Sequence, residues 1–348
     1  MKYLCILLIC VPAAIAARYL NGPPGLVFVA SCLAVVPLAG LLGQATEELA
    51  SKTGPRLGGL LNATLGNAAE LIIAAFAIRA GLLELVKASI AGSILGNVLL
   101  VLGLSLFAGG LKNGMQRFNR TLAGVNATML ILAVIGLGVP SFFNQSIEVR
   151  SHVAVEYLSL CVAGVLMLLY VLWLVYSFTA HPVGHQADTH RARPTWSTST
   201  SVGVLIVATV FIAWLSEILV GAVESVVLSW GITEFFLGII LIPLVGNVAE
   251  HLVGVQTAIK NDMELSLSIS VGSSLQVALF VAPLLVFLSL LMGNPLTLVF
   301  NQFEMIALVA AVLSAALVSL DGESNWLEGA QLLAVYIILG VAFFYLPS

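Results

Sequence analysis

Two glutamate residues end matching five-residue motifs in the two halves of the chain. The sequence GNAAE ends at Glu70, and GNVAE ends at Glu250, 180 positions later. Both motifs lie in strongly apolar stretches, and an ionised carboxylate at the centre of a bilayer costs at least about 2.5 to 3.5 kcal/mol on insertion scales. A structural ion pair is one reading, for which Lys87 is the candidate base at comparable depth. We instead expect the two carboxylates to bind a cation or protons.

Neutral oxygen atoms accompany both glutamates. An asparagine precedes each glutamate by three residues and a glycine by four, which places them on the same helical face. The glycines leave backbone carbonyls uncovered, and the next apolar stretch of each half adds hydroxyl and amide oxygens. Two carboxylates with several neutral oxygens suit a hard cation such as Ca²⁺, which takes about 6 to 8 oxygen ligands. The predicted cation ligands are Glu70, Glu250, Asn67, Asn247, Gly66, Gly246, Ser93, Asn97, Ser273 and Gln276, with Glu70 and Glu250 also binding protons.

Three further residues are candidates for the ion path. Glu47 and Glu217 occupy matching positions of the two halves, and we expect them near opposite vestibules, where they would attract Ca²⁺ or relay protons. Solvated acids at helix ends are the alternative. His251 follows Glu250 and has a side chain suited to proton transfer. A helix turns by about 100 degrees per residue, so a structural role for this histidine stays open.

The composition indicates a membrane protein. Of the 348 residues, 60% are hydrophobic and 9% are charged, whereas a soluble domain carries about 25% charged residues. The net charge of −4 is spread without a basic patch, so we expect lipid and not nucleic acid as a partner. The four cysteines lie in apolar runs without the spacing of a zinc site or a disulfide framework, and we interpret them as packing residues. No cofactor is expected.

Hydropathy and the positions of glycine, proline and charged residues predict eleven membrane-spanning helices, since a helix needs about 20 apolar residues to cross the hydrocarbon. The first run also resembles a signal peptide, but its charged region is limited to Lys2, so a leading transmembrane helix is preferred. The longest polar stretch, residues 181–200, is the predicted linker between the halves. The predicted spans are 2–20, 25–50, 57–80, 82–110, 122–140, 152–178, 201–226, 233–260, 263–291, 299–319 and 325–346.

The two halves are predicted to repeat one unit. Residues 66–110 match residues 246–290 at 13 of 45 positions without a gap, and the identities include Gly, Asn, Ser and Glu. The third predicted helix then corresponds to the eighth, five crossings later, so the two units are inverted in the membrane, as in many secondary transporters. The predicted organisation of this all-α polytopic protein is a leading helix (1–20), a five-helix repeat (21–180), a cytoplasmic linker (181–200) and a second five-helix repeat (201–348).

The distribution of lysine and arginine predicts the orientation. Nine of these residues fall on the N-terminal side of the predicted spans and three on the other side, with Lys87 unassigned. We expect the protein in the cell (inner) membrane. The positive-inside rule places its N-terminus in the cytoplasm and its C-terminus on the outside.

The paired motifs resemble the signature repeats of the cation/proton exchangers, the Ca²⁺/H⁺ branch of the cation/calcium antiporter superfamily. The resemblance rests on GNAAE with GSILGN in the first half, on GNVAEH with GSSLQ in the second, and on a DGESNW segment that begins at Asp321. It implies an eleven-helix antiporter that exports Ca²⁺ in exchange for H⁺ by alternating access. Glu70 and Glu250 would carry both ions. A homo-oligomer is left open.

The resemblance also indicates which ion is exchanged for Ca²⁺. The sodium-coupled branch typically has Thr and Ser before the glutamate and an Asp late in the second repeat, whereas this chain has Gly66 and Asn67, and Val277 in place of that Asp. Proton coupling is therefore preferred, with sodium or potassium coupling as the alternative. Relatives often carry an acidic stretch in the linker, but residues 181–200 contain three histidines and one aspartate and are interpreted as a solvated loop.

Two other classes of protein are less favoured. An ion channel would need an open pore and usually a symmetric oligomer. An intramembrane enzyme is not expected, since the chain has no HExxH or GxGD motif and no nucleophile with a matching base.

Overall fold

The computed structural model describes residues 4–148, 152–180 and 195–346, which are almost entirely helical. Residues 181–194 of the predicted linker lie outside the described residues. Helix α4 contains a π-helical stretch at Gly96–Val101, α8 one at Leu237–Leu241 and α9 one at Val277–Val281, none of which was predicted. In chain order the helices are α1 (Cys10–Tyr19), which follows a 3-10 turn at Leu4–Ile9, α2 (Pro24–Leu65), α3 (Ala68–Arg79), α4 (Leu83–Asn113), α5 (Arg120–Glu148), α6 (His152–Ala180), α7 (Thr198–Trp230), α8 (Glu234–Ile259), α9 (Met263–Leu291), α10 (Gln302–Val318) and α11 (Trp326–Phe344).

Many of these helices are apolar enough to cross a membrane. Among the described residues, 8 helices meet the length and hydropathy that a membrane span requires. They include the Pro24–Thr53 part of α2 and the helices α4 to α9 and α11. The prediction of an all-α, polytopic membrane protein is therefore confirmed. Helices α1, α3 and α10 are shorter than predicted.

The predicted boundary between the second and third spans, at residues 51–56, coincides with a bend in α2, whose candidate membrane span is Pro24–Thr53. Eight residues of a straight α-helix advance about 12 Å, yet a Cβ atom built on Gly58 would collide with the carbonyl oxygen of Ala50. The helix α2 is therefore sharply bent between Ala50 and Gly58. The helix then continues to Leu65 and is interrupted at Gly66 and Asn67 before α3 begins. The predicted continuous span 57–80 is thus two helical pieces.

The directions of the helices follow from contacts at their ends. Helices α2 and α7 are antiparallel, since the Phe28 ring packs edge-on against Trp230 at one end of the bundle, with ring centroids 6.0 Å apart. At the other end Glu48 accepts a hydrogen bond from the backbone of Thr195, at 3.0 Å. We call the first of these ends the far end and the second the linker end.

Helices α4 and α8 run parallel to each other from the far end to the linker end. At the far end the backbone N–H of Leu85 donates to Glu234, and at the linker end Asn113 Nδ2 donates to the Ala258 carbonyl at 3.1 Å. Helix α4 is the central helix of the bundle, since 83% of its apolar window is buried, against 17% for α11. Its polar side chains consequently face other helices and not lipid.

The DGESNW segment closes the linker end. Two short antiparallel strands, β1 (Gln116–Arg117) and β2 (Glu323–Ser324), pair there, and Arg117 Nε lies 3.0 Å from Glu323 Oε1. A Cβ atom on Gly110 would collide with the backbone of Trp326, so α4 and the start of α11 are in direct backbone contact. The segment therefore has a structural role in fixing α11 to α4.

Candidate functional site

Glu70 and Glu250 come together where α3 passes α8. A Cβ atom built on Gly246 would lie 3.2 Å from Cγ of Glu70 and 3.8 Å from its Oε1 atom. The charge of Glu250 acts on Glu70, and both side chains are partly exposed. The glycine at position 246 leaves room for Glu70 to lie against α8 one helical turn from Glu250. The GNVAE motif thus supplies both an acid and the space for its partner.

Each carboxylate contacts a neutral side chain. Glu70 contacts the amide of Asn247 on α8, and Glu250 contacts the hydroxyl of Ser273 on α9. Ser273 Oγ also accepts a hydrogen bond from Asn97 Nδ2 of α4, at 3.1 Å. Residues from both halves of the chain therefore support the pair of carboxylates.

The side-chain amides of Asn67 and Asn247 make further hydrogen bonds beside the two carboxylates. Asn67 Nδ2, at the break between α2 and α3, donates to Gln276 Oε1 of α9 at 2.6 Å. Asn247 Nδ2 donates to the Pro243 carbonyl at 3.2 Å and lies 3.5 Å from Ser93 Oγ. The asparagines at 67 and 247 are 0% and 1% exposed. Six of the eight predicted polar ligands are thus linked by contacts or by charge, Asn67 and Gln276 form a separate pair, and the predicted Gly66 precedes Asn67 at the helix break.

Three buried oxygen atoms of the predicted ligands have no hydrogen-bond donor within the described ranges. They are Oδ1 of Asn67, Oδ1 of Asn247 and Oε2 of Glu250. A buried acceptor without a donor is unfavourable by about 1 to 3 kcal/mol unless water or a cation satisfies it. Together with the other carboxylate oxygens, these atoms form the oxygen-rich donor set that Ca²⁺ prefers. The residues present therefore fit a hard cation.

The glycines of the GSIL and GSSL motifs differ in their surroundings. A Cβ atom on Gly92 would collide with the carbonyl group of Ile239, so α4 and α8 touch backbone to backbone there. A Cβ atom on Gly272 would meet nothing within 4 Å. Close packing of helices is thus the role of Gly92 but not of Gly272 in this state.

Lys87 is not the base that balances the two glutamates. Its Nζ atom lies 2.5 Å from Oε1 of Glu84, one turn earlier in α4 at the far end. The ion-pair alternative for the motif glutamates is therefore not supported by the structure.

The three candidates for the ion path are placed differently. Glu47 is exposed on α2, and its charge acts on Glu250. Glu217 is exposed on α7. The Nε2 atom of His251 is buried and has no hydrogen-bond partner in the part of the chain that the structure describes. The roles of all three residues in the ion path remain predictions.

Sequence reasoning missed two acidic residues. Glu304 is 1% exposed at the start of α10, where its Oε2 atom accepts from the Asn301 backbone at 2.7 Å and its own N–H donates to the Asn301 side chain at 2.8 Å. The Asn-x-x-Glu spacing of this capping box is readable in the sequence. Glu48 accepts from the backbone of Thr195 and Trp196. Its partners lie far away in sequence, so no local pattern indicates them.

No group of three or more His, Cys, Asp or Glu side chains suited to a metal occurs within residues 4–148, 152–180 and 195–346. The candidate site therefore has two acids and depends on neutral oxygens for its remaining ligands.

Comparison with protein families gives a match in both halves. The model described as sodium/calcium exchanger protein matches residues 24–179 and again residues 200–345.

Comparison with known proteins gives relatives over the full length. A curated protein of Aphanothece halophytica named Ca(2+)/H(+) antiporter is 43% identical, over 98% of this chain and 96% of its own length. A Ca(2+)/H(+) antiporter of Synechocystis sp. is 41% identical, over 100% of this chain and 98% of its own. The solved crystal structure of the Ca2+/H+ antiporter protein YfkE has a TM-score of 0.88 and 39% identity, and the match covers 99% of this chain and 100% of that one. These relatives are transporters and not enzymes.

Proposed function

Because the chain belongs to the sodium/calcium exchanger protein family, we propose that it is a secondary antiporter that exports Ca²⁺ in exchange for H⁺. The observation that carries the proposal is the meeting of Glu70 and Glu250 in one buried network of neutral oxygens. Relatives named Ca(2+)/H(+) antiporter, similar over nearly the whole chain, support the choice of ions. Glu70, Glu250 and the neutral ligands Asn67, Asn247, Ser93, Asn97, Ser273 and Gln276 hold the Ca²⁺ ion, and the two carboxylates take up the protons.

The exchange follows from the charge of the site. Two protonated glutamates are neutral, and two ionised glutamates with one Ca²⁺ ion are also neutral. The empty site with both carboxylates ionised carries a charge of −2, which is unfavourable to occlude in a region of low dielectric constant. Alternating access therefore occurs with Ca²⁺ or protons bound and is suppressed in the empty state, as obligatory exchange requires.

Proton coupling is favoured over sodium coupling by the residues around the pair. Val277, at the position of the acid in the sodium-coupled branch, is 1% exposed and begins the π-helical stretch of α9. An apolar side chain at this position removes a ligand that a further cation would use. Sodium or potassium coupling stays the runner-up.

We further propose that the chain forms eleven membrane spans, a leading helix (1–20) and two inverted five-helix repeats (21–180 and 201–348) around a cytoplasmic linker. The double match of one family model supports the repeat. The antiparallel packing of α2 against α7 supports the inversion. The N-terminus and the linker end face the cytoplasm in this proposal, and the C-terminus faces outside.

Transport in proteoliposomes tests the proposed function. The purified protein should take up ⁴⁵Ca²⁺ when a pH gradient is imposed and should do so weakly with a sodium gradient. Glu70→Gln and Glu250→Gln should each abolish uptake, since either variant removes a charge that balances Ca²⁺. Glu224→Gln, an exposed acid on α7, is the matched control and should retain uptake.

Other outcomes would select other functions. Wild-type uptake in either glutamine variant would remove the site assignment. Uptake driven by sodium but not by protons would select the runner-up coupling ion. Calcium currents that need no counter-ion and exceed the turnover of a carrier would indicate a channel.

A further inference from the structure

Four charged side chains meet at the far end of the bundle, where α4, α8 and α10 begin, and the exchange mechanism makes no use of them. We call Glu84, Lys87, Glu234 and Glu304 the far-end cluster. The Lys87 side chain is 11% exposed and pairs with Glu84 at 2.5 Å. The charges of Lys87 and Glu84 also act on Glu304 of α10. One buried ammonium group therefore lies among carboxylates from two helices.

The position of Glu304 is fixed by its own helix. Its capping box with Asn301 holds the carboxylate at the start of α10. The ion-pair partner of Lys87 is Glu84 of its own helix, and Lys87 acts on the Glu304 carboxylate through its charge alone. This attraction favours the packing of α10 beside α4.

Glu234 adds α8 to the cluster. Its Oε1 atom accepts the backbone N–H of Leu85 at 3.1 Å, in the first turn of α4, where N–H groups lack partners within the helix. One turn further along α8, a Cβ atom on Gly238 would lie 2.7 Å from Cβ of Ala88. Ile239 follows and is 1% exposed. The start of α8 is thus held directly against α4, on the far-end side of the site.

The central base of the far-end cluster has no charged counterpart in the second half. At the spacing of 180 residues, Lys87 corresponds to Leu267. The counterpart of Leu85 is Leu265, whose N–H donates at 3.2 Å to Asp262 in its own segment. The repeat therefore keeps the two motif glutamates but not Lys87, the base of the far-end cluster.

We propose that the far-end cluster is a one-sided lock, which holds α8 against α4 in this state and must break before the site opens toward the far end. The proposal rests on the alternating access of the proposed antiporter. It accounts for the difference between the two sides of the site. At the far end α8 is packed against α4, whereas on the other side the exposed Glu47 acts on Glu250. Weakening the lock should shift the population toward the state open at the far end.

Thiol labelling tests the lock without measuring flux. The reporter is Ile239→Cys, a smaller side chain than the native one, in a protein whose four native cysteines are replaced. The protein is reconstituted, and a membrane-impermeant methanethiosulfonate reagent is added to one side at a time. Glu234→Gln should speed labelling from the far end by about tenfold, because the acceptor of the Leu85 N–H becomes neutral and the hydrogen bond is weaker. Lys87→Met should also speed it.

The control for the lock is Glu264→Gln, the counterpart of Glu84 at the other end of the molecule, which should leave the labelling rate within about twofold of the parent. Size-exclusion profiles establish that each variant is folded. If Lys87→Met fails to fold, Glu234→Gln and Glu84→Gln decide the question, since the Glu84 side chain is 65% exposed and tolerates substitution. Equal labelling rates in the folded variants and the parent would overturn the lock. Absence of proton-driven Ca²⁺ exchange in the wild type would instead overturn the proposed function and leave the labelling result interpretable.

Discussion

The two GN-x-A-E motifs have nearly the same sequence but different backbones. In the first half, Gly66 and Asn67 interrupt the helix, and Asn67 adopts φ −97° and ψ 21° before α3 begins. In the second half, Gly246 and Asn247 lie inside the continuous helix α8, whose irregular stretch occurs earlier, at Leu237–Leu241. The motif therefore tolerates both shapes, and the surrounding helices select one of them. Alternating access requires, on each side of the fixed site, an element that can adopt two backbone arrangements.

Substitutions of Gly92 in α4 and of Gly272 in α9 test this comparison, and they have the largest expected effect. Gly92→Ala should lower the free energy of unfolding by about 1 to 3 kcal/mol, because the new methyl group collides with the backbone at Ile239. Gly272→Ala should leave stability near the wild-type value, because open space surrounds that position. Melting temperatures of the purified proteins in detergent measure both.

The same pair of variants can sharpen the comparison. Equal destabilisation by both substitutions would contradict the difference in packing. A stable Gly272→Ala protein with impaired exchange would show that Gly272 becomes closely packed in the state open to the other side.

The serines of the two motifs should differ by a smaller amount. Ser273 contacts Glu250 and accepts from Asn97, whereas Ser93 lies 3.5 Å from Asn247. Ser273→Ala should raise the apparent KM for Ca²⁺ by about tenfold, since a hydrogen bond to a charged group is lost. Ser93→Ala should raise it by about twofold. Initial rates of proton-driven uptake at graded Ca²⁺ concentrations compare the two, and the reverse ranking would show that the halves exchange roles in the state that binds Ca²⁺.

Double-mutant cycles measure the contacts between the halves. Asn67→Ala and Gln276→Ala should show a coupling free energy of about 1 kcal/mol in unfolding experiments, because their side chains share a hydrogen bond of 2.6 Å. The cycle of Asn247→Ala with Ser93→Ala should give a value near zero, since the distance of 3.5 Å is at the limit of a hydrogen bond. Similar values for both cycles would argue that the network is symmetric in solution.

The smallest effect is expected at the linker end. Glu48, the residue after Glu47, accepts hydrogen bonds from the backbone N–H groups of Thr195 and Trp196, just before α7 begins. The matching residue of the second half is Ile218, which follows Glu217 and has an apolar side chain that cannot accept a hydrogen bond. Glu48→Gln should reduce the melting temperature slightly and leave exchange close to wild type, because these contacts are exposed to solvent. A large loss of exchange with unchanged stability would instead indicate that this contact takes part in the transport cycle.

Local patterns in the sequence predicted the candidate ligands, but they did not predict which groups form hydrogen bonds with each other. Asn67 and Asn247 were predicted as equivalent ligands, yet one donates to Gln276 and the other to Pro243. The partner of a polar side chain depends on how neighbouring helices are shifted along each other, and residue spacing within one helix carries no such information. The far-end cluster was missed for the same reason, since its members come from three separate helices.

Helix boundaries show a second limit. Hydropathy places the apolar segments well, because the energetic requirement of about 20 apolar residues is strong and local. It does not detect the break at Gly66 and Asn67, because neither residue is incompatible with a continuous helix. The repeat in the second half keeps the same two residue types within α8.

By itself the sequence determined the class of protein, the apolar spans, the duplicated motifs and the two acids that need a partner, because each of these is a matter of composition or of spacing along the chain. Tertiary structure decided which oxygen atoms meet, which glycine is closely packed and where the helix is broken. These features depend on contacts between helices distant in sequence, and two nearly identical segments consequently adopt different arrangements in one molecule.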